Sequence, residues 1–270
     1  MPDYEQLLYE QQGRVVTITL DRPERLNAWT GTMETEFLNA IRHASDDESV
    51  GCIVVTGAGR GFCAGADIGG WQQQHGMEAI APRRAPALIM SDAREASPNV
   101  PLTLADAKPV IAAINGPAVG IGLTMALACD IRIASEKARF SARFIRVGLS
   151  PECGGTHHLP AIAGLEAALE LALTGRIIDT SDPLARKLVS RVVPHEELMP
   201  AAYALAHEIA SGPHDPVWMT KRLIRRNESQ HDLRQVVDTE TQLFAQLKDQ
   251  AAHREAVLAF GEKREPRWHG

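Results

Sequence analysis

Gly61-Phe62-Cys63-Ala64-Gly65-Ala66-Asp67-Ile68 is a turn of small residues, and Asn115-Gly116-Pro117-Ala118-Val119-Gly120-Ile121-Gly122-Leu123 is a second. Each follows a short apolar run that reads as a buried strand, Cys52–Thr56 and Val110–Ile114, and each leads into a segment that reads as a helix start. A helix start leaves backbone N–H groups without internal partners and favours negative charge. Two such turns facing one another would form an oxyanion hole, which stabilises an enolate or a tetrahedral intermediate.

Working outward, the strand–turn–helix order repeats. Arg14–Leu20 alternates and is rich in β-branched residues, which predicts a strand. Thr30 or Thr32 would cap a helix reaching Ala44, with Met33, Phe37, Leu38 and Ile41 on one face. Gly122–Ala128 reads as a buried helix, and Ile131–Ala134 as the next strand. Phe140–Leu149 is mixed, a helix is expected over Ile162–Thr174 with Gly175 as its C-cap, and Arg191–Val193 reads as a strand. This order predicts crossover units and a mainly parallel sheet. Residues 69–99 are the least regular part and are expected to form a mobile lid or a loop with short helical pieces. From Glu196 onward the pattern is entirely helical, so the chain divides into an α/β core, 1–195, and a helical region, 196–270.

Composition narrows the function classes. The chain has 270 residues, a formal charge of −6 and 44% hydrophobic residues, which suits one large α/β domain with a helical extension. That charge gives no footprint for nucleic acid or an anionic membrane. The basic run Lys221, Arg222, Arg225, Arg226 reads as a solvated or intersubunit face. Met1-Pro-Asp-Tyr-Glu lacks a signal-peptide pattern, and Pro117–Cys129 is too short to cross a bilayer, so a cytoplasmic setting is expected. Cys52, Cys63, Cys129 and Cys153 are scattered without metal or disulfide spacing. No metal ligand set, P-loop, dinucleotide fingerprint or Gly-x-Ser-x-Gly elbow is present.

Among ionisable residues, Asp67 reads equally as a base or a helix cap. His157 and His158, adjacent at a helix start, point in different directions and read as structural. Cys63 lacks a placed base. Glu152 stands between Pro151 and Cys153-Gly154-Gly155. A carboxylate there either serves the free N–H groups of a helix start or sits desolvated, with its proton affinity raised into the range useful for proton transfer.

The chain resembles the crotonase superfamily, the enoyl-CoA hydratases and isomerases, nearly end to end. The likeness is carried by Arg22-Pro23-Glu24-Arg25-Leu26-Asn27-Ala28, by the 61–68 turn, and by Lys108-Pro109-Val110-Ile111-Ala112-Ala113-Ile114-Asn115-Gly116. Ala128-Cys129-Asp130 and Phe260-Gly261-Glu262-Lys263-Arg264 add to it. The resemblance implies a spiral of ββα units with a C-terminal helical region that assembles trimers, or dimers of trimers. It also implies a CoA thioester substrate and no prosthetic group.

On the same resemblance, the thioester carbonyl would lie between the backbone N–H groups of Ala66 and Ile121. The CoA portion would run past Arg25, Ala28, Ala64, Asp67, Ile68 and Lys263, with Leu123 and Phe144 lining an acyl pocket. A lysine common in the family two residues after Asp67 is replaced by Gly69. The two glutamates that handle water in typical hydratases correspond here to Thr124 and Phe144. Glu152 coincides instead with the acid/base carboxylate of Δ3,Δ2-enoyl-CoA isomerases. The expectation is therefore an isomerase with Glu152 as proton shuttle and Thr124 at most orienting water. Enoyl-CoA hydratase and a non-catalytic CoA-ester binding protein are the alternatives.

Overall fold

A computed structural model describes residues 2–69 and 99–268. Apart from Gly69 and Asn99, the expected lid lies outside the described residues. The chain opens on a hairpin of β1 (Leu7–Gln12) and β2 (Val15–Leu20), paired antiparallel from Leu7–Leu20 to Gln12–Val15. Gly13 turns it at φ +59°, a conformation glycine adopts without steric cost. β1 was missing from the sequence reading, although buried Leu7 and Tyr9 alternate with exposed Leu8 and Glu10.

Helix α1 (Gly31–Asp46) follows, capped by Thr30, whose hydroxyl accepts from the Met33 N–H at 3.0 Å. Then come β3 (Cys52–Gly57), α2 (Val100–Asp106), β4 (Val110–Ile114), β5 (Pro117–Val119), α3 (Ile121–Ala128), β6 (Ile131–Ser135) and β7 (Arg139–Ser141). Next are α4 (Gly155–Ala163), α5 (Leu165–Thr174), β8 (Ile178–Asp179), α6 (Ala185–Leu188) and β9 (Arg191–Val193). The last described elements are the helices α7 (Leu198–Ala210), α8 (His214–Asn227), α9 (Leu233–Lys248) and α10 (Ala251–Glu262). One sheet runs β1-β2-β3-β4-β6-β9 and a smaller one β5-β7-β8. Every neighbouring pair in the larger sheet beyond the hairpin is parallel, which requires crossovers and explains why helices separate the strands. The units β1-β2-α1, β4-β5-α3 and β6-β7-α4 repeat one strand–strand–helix plan.

The expected helix over Ile162–Thr174 is instead two. Gly164 adopts φ +86°, and α4 and α5 meet there. The apolar pattern runs through the junction, so periodicity alone hides the break.

The central strands β2, β3 and β4 are buried on both faces, as near-continuous apolar strands demand. Val110, Ala112 and Ile114 join the main core with α1 and α3, whereas Ile111 and Ala113 face a second core with Cys52, Val54 and Ile133. That second core is closed by Leu198, Ala202, Ala206 and Ala210, spaced four apart on α7. Alanines let α7 come close: a Cβ added at Gly51 would sit 2.8 Å from the Ala210 Cα.

Helix α8 docks through half of the basic run. Lys221 is buried and donates to the carbonyls of Leu104 (2.7 Å) and Lys108 (3.0 Å) while pairing with Asp130 at 2.8 Å. Arg225 pairs with the other Asp130 oxygen at 3.1 Å and donates to the carbonyls of Ala128 and Cys129, at the C-terminal end of α3. Arg132 reaches the same end through the Cys129 carbonyl at 2.8 Å. The reading of the run as a solvated face holds for Arg222 and Arg226 and is corrected for Lys221 and Arg225. Residues four apart share a helix face, and their counter-ion lies far away in sequence.

Gly51→Ala is expected to lower stability by roughly 1–3 kcal/mol through overpacking against α7. Urea unfolding of the variant beside the parent chain measures it.

Candidate active site

The two glycine turns are held together by backbone. Phe62 and Cys63 N–H groups donate to the Pro117 carbonyl at 3.1 and 2.9 Å, and the Val119 N–H returns to the Cys63 carbonyl at 2.9 Å. Added Cβ atoms at Gly116 and Gly122 would stand 2.0 Å from the Arg60 oxygen and 2.2 Å from the Cys63 oxygen. Only glycine permits this approach. Two buried asparagines fasten the first turn from within. Asn27 donates to the carbonyls of Ala58 (3.0 Å) and Gly61 (2.8 Å), and Asn115 to those of Gly57, Gly59 and Gly61 at 2.9–3.1 Å.

That lacing decides which N–H groups stay free. Trp29 bridges Ala66 as a strand would: its N–H donates to Gly65 and its carbonyl accepts from Asp67, both at 2.8 Å. Bonding on alternate residues turns the Ala66 N–H to the other side. Ile121 is the first helical residue of α3, after Gly120 at φ +55°, and its N–H is one of the orphan donors of a helix start. Among the described residues, neither N–H has a protein acceptor. Ala66 and Ile121 line one cavity of about 840 Å³, together with Arg25, Trp29, Glu34, Asp67 and Glu152.

Glu152 is held by a tight turn. Its carbonyl accepts the Gly155 N–H at 2.9 Å, and the two residues between, Cys153 and Gly154, both take positive φ (53° and 69°). A left-handed cysteine costs about 1–2 kcal/mol, so the loop carries strain where the carboxylate is presented. Glu152 faces the cavity, yet desolvation lifts its carboxyl above the usual range, and the negative charge of Glu34 adds to the lift. Burial also pushes the Cys153 thiol up to about 12, which keeps it neutral.

The other candidates divide by position. Arg25 and Asp67 line the cavity. Asp67 is ion-paired with Arg22 at 2.9 Å, and the Arg22 hydrogen bond holds its carboxyl below the usual range. Ala28 and Ile68 adjoin cavity-lining residues in sequence, Ala64 stands two residues before Ala66, and none of the three belongs to the lining. The Ala64 N–H is taken by the Leu26 carbonyl at 3.0 Å. Thr124 is buried within α3, with its hydroxyl donating to the carbonyls of Gly120 and Ile121 at 3.4 and 3.3 Å and hydrogen-bonded with the Cys153 thiol. Leu123 and Phe144 are buried in the same layer, the Phe144 ring lying 3.9 Å from a Cβ built at Gly120. Lys263 caps α10 at φ +54° and lies outside this cavity.

Sequence reading passed over Glu34, whose place in the first turn of α1 gave no sign that the fold brings it beside Glu152. Outside the cavity, His157, His158 and Glu228 bring ligand atoms within 4.8 Å of one another, a grouping that residue spacing did not suggest. Arg225 lies 3.6 Å from Glu228.

The family model described as enoyl-CoA hydratase/isomerase matches residues 10–270. The chain belongs to this family, the crotonase superfamily. A 1,2-epoxyphenylacetyl-CoA isomerase of Escherichia coli is 36% identical over 268 residues, covering 98% of each chain. A short-chain-enoyl-CoA hydratase of Clostridium acetobutylicum is 34% identical, with 96% of this chain and 95% of that one covered. An enoyl-CoA hydratase of Bacillus anthracis of known structure superposes with a TM-score of 0.83 at 31% identity, over 98% of this chain and 99% of that one. Like other crotonases, this chain builds an α/β spiral with a C-terminal helical bundle, and it is an acyl-CoA-processing enzyme. No described helix is long and apolar enough to cross a membrane.

Gly122→Ala is expected to force the two turns of the crotonase core apart. It should lower stability by roughly 1–3 kcal/mol and depress turnover more than acyl-CoA binding. Unfolding curves and a kcat–KM comparison read the two effects separately.

Proposed function

We propose that the protein is a Δ3,Δ2-enoyl-CoA isomerase in which Glu152 shuttles one proton. The supporting observation is the meeting, in one cavity, of a desolvated carboxylate and two backbone N–H groups without protein acceptors. In a 3-enoyl-CoA the C2 protons are acidified by the thioester and by the neighbouring double bond. Glu152 takes a C2 proton, and the electron pair delocalises into a dienolate whose oxygen is met by the Ala66 and Ile121 N–H groups. The same carboxyl then returns the proton at C4, giving the conjugated 2-enoyl-CoA. Each such donor contributes roughly 3 kcal/mol at the transition state. Arg25 is proposed to meet the CoA phosphates, with Ala28, Ala64, Asp67 and Ile68 bordering the CoA path.

Hydration of 2-enoyl-CoA is the second reading, and two observations favour it. Several similar proteins carry enoyl-CoA hydratase names, and Glu34 supplies a further carboxylate in the cavity besides Glu152 and Asp67. Against it, Thr124 is buried outside the cavity lining, with its hydroxyl on two backbone carbonyls and the Cys153 thiol. Exposed Leu233, Phe244 and Phe260 on α9 and α10 support assembly of the chain into a homotrimer or a dimer of trimers.

Glu152→Gln is expected to cut 3-enoyl-CoA isomerisation by about 10²- to 10⁴-fold, the usual worth of a placed acid–base group, while a saturated acyl-CoA still binds. Turnover on paired 2-enoyl- and 3-enoyl-CoA esters, with calorimetric binding, checks this, and unimpaired isomerisation would remove the assignment. Faster turnover of the 2-enoyl ester by the parent chain selects hydration.

A base must be ionised to take the proton, so activity falls as pH drops through its pKa. With the carboxyl raised by burial and by Glu34, kcat/KM is expected to fall on the acid side at a pH above the ordinary carboxylate range. A pH series on the 3-enoyl ester locates the midpoint.

A further inference from the structure

Helix α1 begins at the edge of the cavity. Thr30, Gly31 and Glu34 all belong to its lining, on the same surface as Glu152, Ala66 and Ile121. The helix start is fixed by the Thr30 cap and by the Glu34 N–H donating to the Thr30 carbonyl at 3.0 Å, and Phe37 and Ile41 anchor the next turns in the core. Glu34 is therefore a carboxylate on a rigid element. Its first-turn position favours negative charge, and its side chain has no hydrogen bond or ion pair among the described residues.

We infer that Glu34 is a positioning residue of the proton transfer, a carboxylate fixed in the same cavity whose charge strengthens Glu152 as the group that takes up the proton. The inference rests on the proposed role of Glu152 and extends it.

The ionisable surroundings of Glu152 make Glu34 the effective neighbour. Asp67 is neutralised by Arg22, and Arg25 lies on that same side, where its charge acts on Asp67. The Cys153 thiol is neutral. The His158 ring packs behind Gly154, with Nε2 3.1 Å from a Cβ built there, and burial lowers it to about 4, so that it is uncharged near neutral pH. Beside desolvation, the charge of Glu34 in the shared cavity favours the protonated carboxyl of Glu152, as like charges do. Glu34 thus makes Glu152 a stronger base once it is ionised. This division of labour needs no contact between Glu34 and the substrate.

The test compares kcat/KM against pH for the parent chain, Glu34→Gln and Glu34→Asp, with Glu152→Gln as control. Removing the charge in Glu34→Gln is expected to move the acid limb to lower pH and to lower the plateau kcat with little change in KM. Glu34→Asp keeps the charge and should restore the limb toward its original position. An unmoved limb in Glu34→Gln, or the same displacement in Glu34→Asp, would overturn the inference. A second measurement needs no variant: salt screens like-charge repulsion between partly solvated groups, so the parent limb should move to lower pH as ionic strength rises. A limb independent of salt would count against the pair. Normal isomerisation by Glu152→Gln would instead sink the role of Glu152 itself, so the two failures are distinct.

Discussion

The whole site depends on backbone meeting backbone between two turns that are far apart in sequence. Gly116 and Gly122 lie against the carbonyls of Arg60 and Cys63, at distances that any side chain would violate. Hydrogen bonds through Pro117 and Val119 close the contact. Once the turns are laced in this way, Ala66 and the first residue of α3 line the same cavity. Preorganised donors cost no rearrangement when charge develops. Here the preorganisation is a property of main chain and small residues rather than of exchangeable polar side chains.

Two carboxylates of the same cavity are tuned in opposite senses by what touches them. Asp67 takes a hydrogen bond from Arg22 and stays ionised. It fastens the first turn to the Arg22 loop and is a structural anion. Among the described residues Glu152 has no such partner; it is desolvated and faces another negative charge. Its ionised form is the less stable one in the fold, so it destabilises the native state progressively as pH rises through its folded pKa and adds no such penalty at lower pH. The strained turn at Cys153 compounds that cost. Local instability at this loop accompanies a proton affinity suited to carbon acid chemistry.

The sequence was most legible where local pattern and fold coincide. Strands β2, β3, β4 and β6 and helices α1 and α3 follow from periodicity, caps and glycine turns, and the Thr30 cap and Gly175 stop were readable in advance. β1 escaped because its second half, Glu10-Gln11-Gln12, is polar and its role as a partner for β2 is a pairing fact. The break at Gly164 escaped because φ is not a composition property. In the site, Ala66, Ile121 and Glu152 fall on one cavity because their turns carry the pattern themselves. The places of Glu34 and of Thr124 depend on which way an already recognised helix is rotated in the finished core.

Helix α3 links the reaction to the tail of the chain. Its first N–H faces the cavity, while its last carbonyls are gripped by Arg225 and Arg132, and Asp130 just beyond it is held by Lys221. Anyone resurfacing the helical tail for purification tags, crosslinks or immobilisation would find the four neighbouring cations unequal. Arg226 is exposed and open to exchange, whereas Lys221 and Arg225 act as set screws on the rod that carries the proposed donor, and on that proposal altering them would detune chemistry from the opposite end of the helix.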